Sequence, residues 1–230
     1  MEKNLKEFNE IREKFIGNLD YIKTYDEARG LHHKTIDSLY KIYLKHKDDI
    51  KLFDANKEQL SKVVEVKQID LTDRDNNNFF IKTNLFLGKY KHRRLIDYVI
   101  EKGTDQVKLL KMFKAVKKSF YSIFEVVSAE PPLALIVVKD VIRGGEYCVV
   151  DRGLSVYANI DEFKNNYFIC SQLTTYEDVS FFDNTLLVEK NNQKVKNYFD
   201  KIDSGVSEVQ VAFFCFLNQT TELKLAKGER

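Results

Sequence analysis

The stretches YSIFEVVSAEPPLALIVVKDVIRGGEYCVV, residues 121–150, and YFICSQLTTYEDVSFFDNTLLVEK, residues 167–190, decide the fold. β-Branched and aromatic residues fill five runs, 121–129, 133–142, 146–151, 167–175 and 181–188. The breaks between them fall at Pro131-Pro132, Gly144-Gly145, Gly153, Asn165-Asn166 and Asp183-Asn184. Short apolar runs bounded by turn formers predict an antiparallel β-meander or a small, partly open barrel. Gly144-Gly145 reads as a hairpin turn that needs positive φ. Pro131-Pro132 reads as an extended corner.

Outward from this region the period changes. Leu5, Phe8, Ile11, Phe15, Leu19 and Ile22 recur at helical spacing, and Gly30 is a place for that helix to end. A second helix is expected over 34–47, with Ile36, Leu39, Tyr40, Tyr43 and Leu44 as its apolar face. A weaker helix is expected over 50–64 and a strand over 63–71. Residues 73–78, DRDNNN, read as a loop and mark the main boundary. Beyond it, 79–102 reads as helix with a break at Gly88. Thr104 then caps a helix over 105–120 that carries Val107, Leu110, Phe113 and Val116 on one side. A short helix is expected over 191–202. Residues 206–217 are apolar nearly all round, so periodicity does not decide their type: Ser207 with Gln210 resembles a capping box that favours helix, the run VQVAFFCFL favours strand, and helix is preferred by a small margin. The expectation is therefore an α+β chain: a helical N-terminal half, then an antiparallel β-meander or small partly open barrel, and a closing C-terminal helix. Its boundaries are 1–72 and 73–230, the alternative being one continuous domain.

Composition sets the class. The chain has 230 residues, 43% hydrophobic and 31% charged, which is globular and neither disordered nor membranous. No apolar run approaches the roughly 20 residues that span a bilayer. The first 18 residues lack a signal-peptide core, so a cytoplasmic location is expected. Three separated cysteines, Cys148, Cys170 and Cys215, read as reduced thiols inside apolar strings. Abundant Lys and Asn with no Trp and two Pro suit an AT-rich bacterial or phage genome.

Charge is unevenly placed. Ten Lys or Arg stand against three acids between 89 and 118, whereas 121–204 holds eight basic and thirteen acidic residues. Clustered cations release counterions from a phosphate backbone, and Tyr90 among them can stack on a base. Lys89, Lys91, Arg93, Arg94, Lys108, Lys111, Lys114 and Lys118 are thus the candidate contacts for nucleic acid. The opposing expectation is a solvated helix face, or one docked on the chain's own acidic strands.

Other constellations are weaker. His32 and His33 point about 100° apart on a helix and suit a surface or cap role better than metal binding. Asp48-Asp49, Asp161-Glu162 and Glu177-Asp178 sit at expected element ends. No phosphate loop, dinucleotide fingerprint, nucleophile elbow or zinc signature is present, and no cofactor or metal is expected. The leading expectation is a non-enzymatic binding or regulatory protein that contacts nucleic acid through its basic face. The alternatives are a protein-interaction module, a homodimer being one form of it, using Tyr157, Phe181-Phe182 or an open sheet edge, and an unrecognised hydrolase.

Overall fold

The computed structural model describes residues 20–46, 49, 74–199 and 207–219. The expected helix starting at Leu5 lies largely outside these residues. The expected helix over 50–64 and the strand over 63–71 lie wholly outside them.

Five strands form a closed barrel: β3 (Phe120–Glu130), β4 (Leu135–Asp140), β5 (Glu146–Val150), β6 (Tyr167–Tyr176) and β7 (Val179–Glu189). All five expected runs are strands, but the pairing is not that of a meander. β3, β4 and β5 pair antiparallel in turn, β5 meets β7 in parallel at Val149↔Ser180, and β7 and β6 pair antiparallel. β6 then closes on β3, with Phe120 opposite Leu173. This five-stranded connectivity is that of the OB-fold barrel. Closure, where a partly open barrel was expected, pairs each strand on both sides.

Alternation along the strands fills two cores. Phe124, Val126, Ile136, Val138, Val149, Tyr167, Ile169, Leu173 and Phe182 line the interior. Between β5 and β6 run two short helices, α5 (Arg152–Ala158) and α6 (Asp161–Asn166), which set Ala158 and Phe163 among those interior side chains. Asp151 starts α5 by accepting from the backbone N–H groups of Gly153 and Leu154 at 3.0 and 2.8 Å. Outward-facing Tyr121, Ile123, Cys170 and Phe181 pack against helices instead. Phe181 and Phe182 therefore both lie in cores, on opposite sides of β7, and neither is an exposed binding aromatic.

The helical layer is α1 (Asp20–His46), α2 (Arg74–Leu87), α3 (Leu95–Lys102), α4 (Val107–Lys118), α7 (Gln193–Phe199) and α8 (Glu208–Leu217). α1 passes straight through Gly30, where a stop was expected, because burial of Ala28 and Leu31 on either side outweighs the weak helix propensity of one glycine. Tyr40 and Leu44, read as part of its apolar face, are exposed while Leu39 is buried. α2 begins inside the expected loop at 73–78. Val107 is 70% exposed, since α4 turns Leu109, Met112, Phe113, Ala115 and Val116 inward. α8 is a helix, begun by the Ser207–Gln210 capping box. Pro131–Leu133 makes a turn of 3₁₀ helix rather than an extended corner, ended by Ala134 in the left-handed region. Gly144 and Gly145 have φ of 76° and 91°, as their turn requires. Cys148, Cys170 and Cys215 are free thiols. One apolar cluster joins Leu31 and Leu39 of α1 to Val116 of α4 and Phe181 of β7.

Candidate nucleic-acid interface

Lys89–Arg94 was expected on a helix and is instead a minimal β-hairpin. Helix α2 stops at Gly88, after which β1 (Lys89–Tyr90) pairs with β2 (Arg93–Arg94). The two residues between them, Lys91 and His92, have φ of 48° and 66°. A two-residue turn of this hand suits Asn-Gly, and a side chain held in the left-handed region costs about 1–2 kcal/mol. The strained turn puts Lys91 and His92 in solvent beside exposed Lys89 and Arg93.

Arg94 holds the hairpin down. Its Nε and Nη2 donate to the Phe86 carbonyl at 3.0 and 2.8 Å, and its Nη1 donates to the Lys117 carbonyl at 3.0 Å. One guanidinium thereby caps the C-terminal ends of α2 and α4, where unpaired carbonyls carry partial negative charge. It also fixes the hairpin beside the last turn of α4. Burial lowers the Arg94 pKa from its ordinary value.

The remaining candidates divide sharply. Arg93 makes a two-pronged bond to Glu101 at 2.6 and 3.2 Å and lies over the Tyr98 ring. Lys108 pairs with Glu27 of α1 at 2.5 Å, and Lys111 with Glu177 of the β6–β7 turn at 2.9 Å. Those hydrogen bonds raise both ammonium pKa values. The N-terminal half of α4 therefore pairs with the chain's own acids, one on α1 and one at the β6–β7 turn. Lys117, also in the basic run, pairs with Asp97 at 2.7 Å and holds that carboxyl below its ordinary value. Lys89, Lys91, Lys114 and Lys118 are exposed and make no ion pair among the described residues. Lys114 and Lys118 share a face of α4, four residues apart.

Aromatic rings back the hairpin. His46, in the last turn of α1, stacks on Tyr90 with centroids 4.0 Å apart, and Tyr90 tilts onto Tyr98 at 5.7 Å. The Tyr98 hydroxyl donates to the Tyr90 carbonyl at 2.9 Å. Tyr98 was not singled out in the sequence; its position, eight residues after Tyr90, gives no signal until the chain reverses at Lys91.

A second polar cluster lies deep between α1, α2 and β7. His32 is 1% exposed, so it is neither a surface nor a cap residue. It stacks on Phe86 at 5.7 Å and meets Phe181 edge-on at 5.3 Å. Its Nδ1 is 3.9 Å from Asp183 Oδ2, while Asp183 Oδ1 accepts from Lys82 at 3.1 Å. Burial lowers the His32 pKa to about 4. Among the described residues its Nε2 has no hydrogen-bond partner. Among the described residues no group of three or more His, Cys, Asp or Glu is placed to hold a metal ion, and no helix is long and apolar enough to cross a membrane.

In comparison with known proteins, residues 20–225 fit a family of unknown function, DUF7986. No curated protein and no solved structure matches.

Proposed function

The chain belongs to DUF7986, and from that premise we propose that it is a non-enzymatic binding protein whose hairpin rim contacts nucleic acid. The observation that carries this reading is the Lys91-His92 turn. Two ordinary side chains are held at positive φ where Asn-Gly would be relaxed, and local strain of this kind collects at ligand clamps. The contact set is narrower than the eight candidates: Lys89 and Lys91 on the hairpin, with Lys114 and Lys118 on α4. Arg93 and Arg94 shape the rim, and Lys108 and Lys111 serve the fold.

OB-fold connectivity adds little, since fold does not imply function. Oligonucleotides bind such barrels near the loops between the first two and the last two strands. Here the Tyr21 hydroxyl straps the first of these loops by donating to the Leu133 carbonyl at 2.6 Å, and the second carries Asp178 next to Glu177, whose charge Lys111 already offsets. Both features disfavour a polyanion on that face.

Fluorescence anisotropy with labelled DNA and RNA tests the proposal. Four lysine–phosphate contacts to a single strand give a log–log salt slope of about −3, or about fiftyfold weaker binding between roughly 50 and 200 mM salt. Changing Lys89, Lys91, Lys114 and Lys118 to Glu should abolish binding. Changing Lys108 and Lys111 to Gln should leave it intact. Absence of binding at low salt sinks the reading.

A second reading rests on Val156, Tyr157 and Ile160, which are 54%, 42% and 39% exposed along α5 and the turn after it. Such a patch suits a protein partner or a second copy of the chain. Sedimentation that depends on concentration in the native chain, and not in a Val156→Lys variant, would favour a homodimer.

A further inference from the structure

Building on the nucleic-acid reading, we infer that the partner is single-stranded, held by an unpaired base that stacks on the end of a ladder formed by His46, Tyr90, Tyr98 and Arg93. The His46 and Tyr90 planes lie within 20° of parallel, Tyr90 leans on Tyr98, and the Arg93 guanidinium sits 5.0 Å from the Tyr98 centroid. Three contacts fix the rungs. Glu101 grips the guanidinium, the Tyr98 hydroxyl is tied to the hairpin backbone, and Lys91 lies 5.3 Å over the Tyr90 ring. The inner faces are thus occupied by one another. The ladder ends on a half-buried imidazole and a guanidinium whose side chain is 45% exposed. Imidazole and guanidinium planes are both surfaces on which unpaired bases stack. Lys89 and Lys91 stand beside the ladder to take the flanking phosphates. A duplex keeps its bases stacked internally and offers the same lysines phosphates alone.

The experiment compares single-stranded and duplex oligonucleotides of equal length at one salt concentration. It uses the native chain, His46→Ala, Tyr90→Leu and the Lys89→Glu/Lys91→Glu pair, with circular dichroism to confirm that each is folded. The single strand should bind at least about tenfold more tightly than the duplex, in line with the stacking of one base on an aromatic ring. His46→Ala should remove most of that advantage while leaving duplex affinity and the salt slope unchanged. Tyr90→Leu should do the same if His46→Ala proves poorly folded. Equal affinity for the two forms, or an equal loss on both in the ring variants, overturns this inference while the lysine pair still reports on the site. If neither form binds the native chain, the functional reading itself fails and takes this one with it.

Discussion

His32 and His46 lie on one helix, about 21 Å apart along its axis, and each stacks on an aromatic ring. There the likeness ends. His32 is enclosed by Phe86 and Phe181, with Arg29, Lys82 and Asp183 around it, and burial keeps its ring neutral. His46 stands at the rim among lysines. At the first site polar groups are spent on joining α1 and α2 to the barrel; at the second they are held rigid and left facing water. The same contrast divides α4, whose Lys108 and Lys111 are consumed internally while Lys114 and Lys118 are not.

Removing the wall of the buried site should produce the largest effect. Phe181→Ala is expected to cost about 3–5 kcal/mol in urea unfolding. A loss below about 1 kcal/mol would mean that the ring is not a core anchor.

Next comes pH. His32 titrates near 4 in the fold against an ordinary 6.5, so between those values the unfolded chain takes up a proton that the folded chain refuses. Stability is therefore complete above pH 6.5 and declines as pH falls towards 4, by up to about 3 kcal/mol. Burial raises the Asp183 pKa, but His32, which is itself protonated by the pH at which that carboxyl titrates, and Lys82 outweigh it and leave the carboxyl below its ordinary value. Its own contribution is lost at lower pH. His33, exposed on the same helix, adds a smaller charge effect that also lowers the His32 pKa. Replacing His32 with Phe should flatten the decline between 6.5 and 4, and an unchanged slope would assign it to other groups.

Arg94→Met keeps bulk but leaves the Phe86 and Lys117 carbonyls without their donor. A loss of about 2 kcal/mol is expected, together with faster amide exchange in the hairpin. The smallest effect has the opposite sign. Lys91→Asn with His92→Gly relieves the left-handed turn and should raise stability by about 1 kcal/mol, while binding to nucleic acid weakens. Greater stability with undiminished binding would remove strain from the functional argument.

The strands were legible because β-branched and aromatic residues between turn formers signal strands wherever they pack. The start of α8 was legible from Ser207 and Gln210, which carry a local hydrogen-bonding rule. The Lys89–Arg94 hairpin was not: strands of two residues fall below any periodicity, and Lys-His is not a turn signature. Gly88 marked only the break before it. α5 and α6 were missed for the same reason of length, although Asp151 is a competent cap. Adjacent histidines could not reveal which one faces inward, because that depends on Phe181 and Asp183, about 150 residues away in sequence. Of the candidate site, the surplus of cations was legible, and its division into paired and exposed lysines was not. Glu27 and Glu177 reach α4 only through tertiary packing.

The order in which the barrel is wound has a kinetic consequence. The β3–β4 and β6–β7 hairpins join neighbours in the chain and can form within microseconds. The β5–β7 seam has a single registered pair among the described residues and waits for α5, α6 and β6 to be in place. Contacts made late contribute to the unfolding rate rather than the folding rate. A Val149→Ala substitution should therefore hasten escape from the native state while refolding from urea keeps its pace, making this seam the timekeeper of the molecule's lifetime.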